Sequence, residues 1–349
     1  MAAGRGMLLA AAAAAAALLL AVYALYLSGS SPATQETKAT SASPTQGSAT
    51  PPPVVRIGTL RGGVSSLDVI EKLGLDARHG FRLEKVLFTK TLDLASALSR
   101  GDIDVAVIPA EFVAKLREKG SDIVIIAVDF YQNQAVVARK DVDAKSIEDL
   151  KGRRLGVFKP TGTYAMFKAY MSTVYGLNAE EAFKLASMPP PQLVEAFKKG
   201  DVDAVVIWEP FVSKLVAEYG GHIVVSYSDL WRKWSGHVGD NGVMIVYAAR
   251  GDWARSHPGL VERLQAARAE AAEAWNRDKG LAADVLKDYG LSTGAAELCW
   301  KRVRMETEKG LTRSLVENIL AVWRLARQGG YIAGDPERLA EGAFWQAGG

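Results

Sequence analysis

One stretch of this chain is written twice, 99 residues apart: ALSRGDIDVAVIPAEFVAKL at 97–116 and AFKKGDVDAVVIWEPFVSKL at 196–215. Identities at Gly101/Gly200, Asp102/Asp201, Asp104/Asp203, Val107/Val206, Ile108/Ile207 and Phe112/Phe211 are too many for coincidence. Each copy reads as an amphipathic helix closed by a left-handed glycine, Gly101 or Gly200. A turn carrying Asp102 or Asp201 follows, then a buried strand, Val105–Ile108 or Ala204–Ile207, and a new helix at its C-terminal end. Upstream, Arg56-Ile57-Gly58 heads one half and Arg154-Leu155-Gly156 the other, each a short strand before a loop and a helix. A solenoid needs at least about three copies at a shorter period, so two distant copies predict paired lobes rather than an array. The expected fold class is α/β, two Rossmann-like lobes of helix-linked parallel strands with a ligand cleft between them.

The paired lobes are expected to occupy 54–349: lobe 1 at 54–138 and 246–349, lobe 2 at 139–245. Gln134–Arg139 and Gly242–Ala248 are the expected crossings between them. After Pro258 the pattern is helical, in segments such as Leu260–Asn276, Leu281–Tyr289 and Leu311–Arg327, expected to pack back on lobe 1. Ahead of the lobes, Arg5 precedes an uncharged apolar run of 21 residues, Met7 to Leu27, long enough to span a membrane. Residues 1–27 are therefore a transmembrane anchor or a signal segment. Length favours the anchor, while Ser28-Gly29-Ser30 leaves cleavage open. The cation in front places the rest of the chain outside the cytoplasm. Residues 28–53 hold 16 Ser, Thr or Pro among 26 and no Val, Ile, Leu, Met or aromatic, so they read as a solvated stalk. Cys299 is alone, forms no internal disulfide and lies far from any site for a lipid anchor. The net charge of +3 comes from interspersed charges and gives no polybasic face for nucleic acid.

The segments Arg56-Ile57-Gly58, Ser146-Ile147-Glu148-Asp149-Leu150-Lys151-Gly152, Gly200-Asp201-Val202-Asp203-Ala204 and Trp208-Glu209-Pro210-Phe211, in this order, resemble a known group. They are similar to the ABC-transporter solute-binding proteins of the nitrate/sulfonate/taurine and thiamine-precursor type. The resemblance runs over most of Val54 to Tyr331. It implies a type II periplasmic-binding-protein fold, a cleft that shuts on one ligand, and delivery to a membrane permease with its ATPase. Arg61-Gly62-Gly63 and Lys159-Pro160-Thr161-Gly162-Thr163 match no single subfamily's ligand signature.

In open parallel sheets ligands sit beyond the carboxyl ends of the strands. Thr161-Gly162-Thr163 is the leading site candidate, since Gly admits close approach and the hydroxyls stand at a helix N-terminus that favours anions. Its plainer reading is a helix N-cap, Thr161 or Thr163, before Ala165–Tyr175. Arg61, with Gly62 and Gly63, occupies the equivalent loop of lobe 1, where a guanidinium fork takes a carboxylate or sulfonate. Lys90 and Thr91 open another helix. Trp208 stands where the repeat partner is Pro109 and covers an apolar or cationic ligand part, or simply fills core. Glu111 and Glu209 follow the two repeat strands; Glu209 pairs with an ammonium or favours the helix started at Pro210. Gln132, Asn133, Asp240 and Asn241 border the crossings and offer polar groups, or cap turns. Helix ends and cations favour an anion, and Trp208, Glu111 and Glu209 suit a small organic anion or zwitterion, a sulfonate or taurine-like solute, over nitrate. A thiamine-type pyrimidine would instead stack on Trp208.

Enzymes of the same architecture exist, so the site must separate binding from catalysis. His79, His222, His237 and His257 lack metal spacing, and H-E-x-x-H, G-x-S-x-G and phosphate-loop motifs are absent from the sequence. No catalytic residue, metal or cofactor is expected. A membrane-tethered sensor would need an output module, and the sequence carries none.

Overall fold

The computed structural model describes residues 51–236 and 238–346. The expected apolar span and the stalk up to residue 50 lie outside the described residues, as does His237. No helix among the described residues is long and apolar enough to cross a membrane.

Among the described residues, ten strands form two five-stranded sheets. In chain order they are β1 (Val54–Leu60), β2 (Arg82–Phe88), β3 (Val105–Pro109), β4 (Ile123–Tyr131), β5 (Ala135–Ala138), β6 (Arg154–Val157), β7 (Lys184–Ser187), β8 (Ala204–Ile207), β9 (His222–Ser226) and β10 (Val243–Arg250). The spatial orders are β2-β1-β3-β10-β4 and β7-β6-β8-β5-β9. The same plan is built twice. β1 pairs in parallel with β2 and β3, and β6 with β7 and β8. In each sheet the fourth strand runs antiparallel to both neighbours.

That fourth strand is exchanged along the chain. Ala135–Ala138 was expected to end lobe 1, but its four buried residues pair with β8 and β9 of the second sheet. β10 likewise lies wholly in the first sheet. The segments expected as crossings are thus strands, because an all-buried run is better satisfied inside a ladder than between sheets. The chain crosses just before them, at 132–134 and near 242. There the Gln132 N–H donates to Gly242 O at 2.8 Å and the Asn241 amide donates to Gln132 O at 2.8 Å.

The second aspartate of the repeated Gly-Asp-x-Asp joins two strands. Asp104 accepts from the Arg56 N–H at 2.9 Å and from its guanidinium at 2.7 Å, and the Asp104 N–H returns a bond to Arg56 O at 2.9 Å. Asp203 repeats this with Arg154 at 2.8, 3.3 and 2.8 Å. Each carboxylate staples the start of the third strand to the start of the first. Gly101 and Gly200 cap their helices at φ +80° and +81°, a region costly for other residues. The Arg250 and Arg139 guanidinium groups lie where a side chain there would stand. These arginines pair with Asp252 and Asp141 in the same geometry, so the duplication extends to Ala138-Arg139-Lys140-Asp141 and Ala249-Arg250-Gly251-Asp252.

The C-terminal helices do more than cover the first sheet. Pro258–Arg277 packs on Ser66–Leu73, as expected, but Thr293–Arg302 packs on Phe211–Tyr219. Arg313–Gln328 lies on both Gly162–Tyr175 and Ala110–Glu118. The reason is its wide apolar face, with Leu315, Ile319, Val322, Trp323 and Leu325 all buried. The Trp323 indole N–H donates to Ala110 O at 2.8 Å, so this helix is fixed to the first half while it covers the second.

Removing either stapling carboxylate leaves a strand N–H without its acceptor and the arginine with only its bonds to backbone carbonyls. Asp104→Ala and Asp203→Ala are each expected to lower the unfolding free energy by about 2 kcal/mol, read from equilibrium urea melts.

Candidate functional site

The carboxyl ends of β1 and β3 face those of β6 and β8 across one cavity. The first half supplies Thr59, Gly63, Ser65, Thr91 and Pro109, and the second Thr161, Gly162, Thr163, Trp208 and Glu209. Phe130, Asn133, Met244 and Ile245 line it where the chain crosses. The space open to the centre of a water molecule is about 40 Å³, room for a small solute.

Three helices begin at this cavity: Ser66–Leu73, Thr91–Arg100 and Gly162–Tyr175. Their N-terminal N–H groups and dipoles make the cavity positive without any lysine or arginine in its lining. The three ends differ. At the third, Thr161 is the N-cap, accepting from the Tyr164 N–H at 3.4 Å while its hydroxyl donates to Phe158 O at 2.7 Å. The second has no side-chain cap. Thr91 there is fully buried, and its hydroxyl has no hydrogen-bond partner. A buried hydroxyl without a partner is costly, so this end of the cavity is built to receive an acceptor.

Glu209 is the one charged residue in the lining among the described residues, and it is occupied. Its carboxylate accepts from Arg302 at 2.5 Å and from the Ser213 N–H at 3.1 Å. Burial pushes its pKa up, and the Arg302 charge works against that shift. Arg302 also donates to Asn133 O at 2.9 Å, tying the C-terminal helix to the crossing. Glu111 lies behind the cavity wall. A Cβ on Gly162 would stand 2.1 Å from the Glu111 carboxylate and 2.9 Å from Pro109, so only glycine lets the two halves meet here. Tyr170, Tyr227 and Tyr331 stand near this carboxyl group, and burial raises its pKa to about 7.

Of the residues singled out from sequence, the structure brings Gly63, Thr91, Asn133, Thr161, Gly162, Thr163, Trp208 and Glu209 to the cavity. The Trp208 indole nitrogen reaches toward Gly63 across the cleft. Arg61 does not arrive. The turn at Gly62 (φ +81°) leaves it exposed in a neighbouring depression with Asp68, Glu71 and Lys85. Lys90 is exposed as well, at the N-cap position of the Thr91–Arg100 helix. Gln132 is buried and accepts from the Tyr170 hydroxyl at 2.6 Å, while Asn241 braces the crossing and Asp240 lines a separate open groove. Sequence reasoning missed Ser65, Phe130, Met244 and Arg302. Ser65 had a signal in Ser65-Ser66-Leu67-Asp68, which matches a helix-start pattern, and the Ser65 N–H does donate to Asp68 at 2.8 Å.

Two sheets with one repeated strand order, facing across a cavity at their carboxyl ends, define the periplasmic-binding-protein fold. The alkanesulfonate-binding protein SsuA from Xanthomonas axonopodis pv. citri, bound to MOPS, shares it with a TM-score of 0.70 at 20% identity, covering 86% of this chain and 100% of that one. Residues 48–287 match the NMT1-like family, and the chain belongs to it. The nitrate/nitrite binding protein NrtA of Nostoc sp. is 26% identical over 169 residues, 48% of this chain and 36% of its own length. The taurine-binding periplasmic protein of Escherichia coli is 24% identical over 189 residues, 53% of this chain and 55% of its own. The matches therefore span only 36% and 55% of those two relatives. All three are named as binding proteins.

Glu111 makes the stability of the fold depend on pH. Its pKa of about 7 in the folded protein against an ordinary 4.5 means that folding takes up a proton between those values. Stability should fall as pH rises through this window and level off above it. Glu111→Gln cannot ionise. Relative to wild type it is expected to gain about 2–3 kcal/mol on going from pH 5 to pH 8 in urea melts at the two pH values.

Proposed function

We propose that this chain is the extracytoplasmic substrate-binding subunit of an ABC importer. It closes its two halves on a small organic anion, a sulfonate fitting best, and hands it to a permease and its ATPase. The observation that carries this reading is the unpartnered, fully buried Thr91 hydroxyl at an uncapped helix N-terminus inside an interdomain cavity. An anionic head placed there meets N–H groups and a hydroxyl donor, and a short apolar tail meets Trp208, Phe130, Met244 and Ile245. The named functions of the relatives and of the structural neighbour, sulfonate, taurine and nitrate binding, support the same class of solute. The apolar wall favours a sulfonate with a carbon tail over nitrate or bicarbonate. In this reading residues 7–27 hold the receptor at the outer face of the membrane.

A thermal-shift panel of ethanesulfonate, longer alkanesulfonates, taurine, nitrate, bicarbonate and a thiamine-precursor pyrimidine tests it on the purified protein. A ligand at a hundred times its Kd stabilises by about 2.7 kcal/mol. Alkanesulfonates are expected to give the largest shift; no shift with any of the six sinks the reading. Thr91→Val keeps the shape and removes the donor. It is expected to leave the melting temperature without ligand unchanged or raised and to weaken sulfonate binding by about 1.5–3 kcal/mol in calorimetry.

A further inference from the structure

Glu209 is a carboxylate in the wall of an otherwise uncharged cavity, and it is 1% exposed. Left alone it would be an acceptor for a ligand ammonium. Both of its oxygens are already used: one accepts from Arg302 Nε at 2.5 Å, the other from the Ser213 N–H at 3.1 Å. Arg302 stands outside the cavity, at the end of the Thr293–Arg302 helix, with its side chain 17% exposed. A second guanidinium nitrogen donates to Asn133 O at 2.9 Å, which fixes the group in place. The two other buried carboxylates nearby do not substitute. Glu111 lies behind Gly162, and Asp129 accepts from the Ser66 N–H at 3.4 Å; neither lines the cavity.

We propose that Arg302 sets the charge selectivity of the site: by neutralising Glu209 it leaves no free anionic partner for an ammonium, so the cavity takes simple anions in preference to zwitterions of the same length. This deepens the sulfonate reading above and rests on it. A zwitterion entering the cavity must strip water from its ammonium and meets hydroxyls, the Asn133 amide and the faces of Trp208 and Phe130, but no free carboxylate. A buried ammonium without an opposite charge beside it is penalised, whereas the same ligand with a methyl in place of the ammonium is not. Freeing Glu209 reverses the balance, because the carboxylate then needs a cation and the ligand supplies one.

Ethanesulfonate and taurine share the sulfonate head and differ in the amine, so their ratio of affinities reads the effect directly. Isothermal calorimetry on the wild-type protein is expected to give ethanesulfonate at least about tenfold tighter than taurine. In Arg302→Gln the ratio should move at least about tenfold toward taurine. Adding Glu209→Gln to that variant should remove the gain for taurine. Arg302→Lys, which keeps a cation beside Glu209, should retain the wild-type order and serves if Arg302→Gln does not fold. Taurine bound as tightly as ethanesulfonate by the wild type overturns the proposal. So does an unmoved ratio in folded Arg302→Gln, or a gain for taurine that persists without Glu209. If neither sulfonate binds, both ligands fail together, and the sulfonate reading falls with the selectivity that depends on it.

Discussion

The fold depends on one interaction made twice: a carboxylate that binds the backbone of a strand it does not belong to. Asp104 holds the start of β1 through the Arg56 N–H and guanidinium, and Asp203 does the same for β6 through Arg154. The bonds sit at the amino ends of the parallel strands, where sheets begin and loops would otherwise leave donors orphaned. Pinning those ends fixes the register of the first and third strands. Their opposite ends, carrying the site loops, then emerge side by side. The cavity is thus located by residues at the far side of each sheet from it.

Much of this was legible because it is local. A helix, a left-handed glycine, an aspartate and a buried strand occupy one short window, and the window occurs twice. The exchanged strands were harder. Ala138-Arg139-Lys140-Asp141 and Ala249-Arg250-Gly251-Asp252 match one another, but they lie at a different spacing from the main repeat, since each strand sits in the sheet of the other half. A search at one fixed offset passes over them, and the crossings were placed a few residues late.

The site was legible at the level of loops and less so at the level of side chains. Strand ends pointed to loops that do line the cavity, and Thr161, Gly162, Thr163 and Trp208 reach it from them. Pseudo-symmetry then suggested Arg61 as the partner of the Thr161 loop, and there it failed, because a left-handed turn at Gly62 leaves the guanidinium in solvent. Arg302 shows the other limit. It acts on Glu209 from a helix with no motif, 93 residues away in sequence, and only packing brings them together.

The lining of the cavity also bears on where such a receptor can work. Anion sites built from lysine and arginine at a surface weaken as ionic strength rises, because mobile ions compete for the same charges. Here the positive pole consists of helix ends that open onto a buried cavity, with no cation in its wall. Screening reaches such a site less than one at the surface, so an anion held there would feel the ionic strength of its surroundings less.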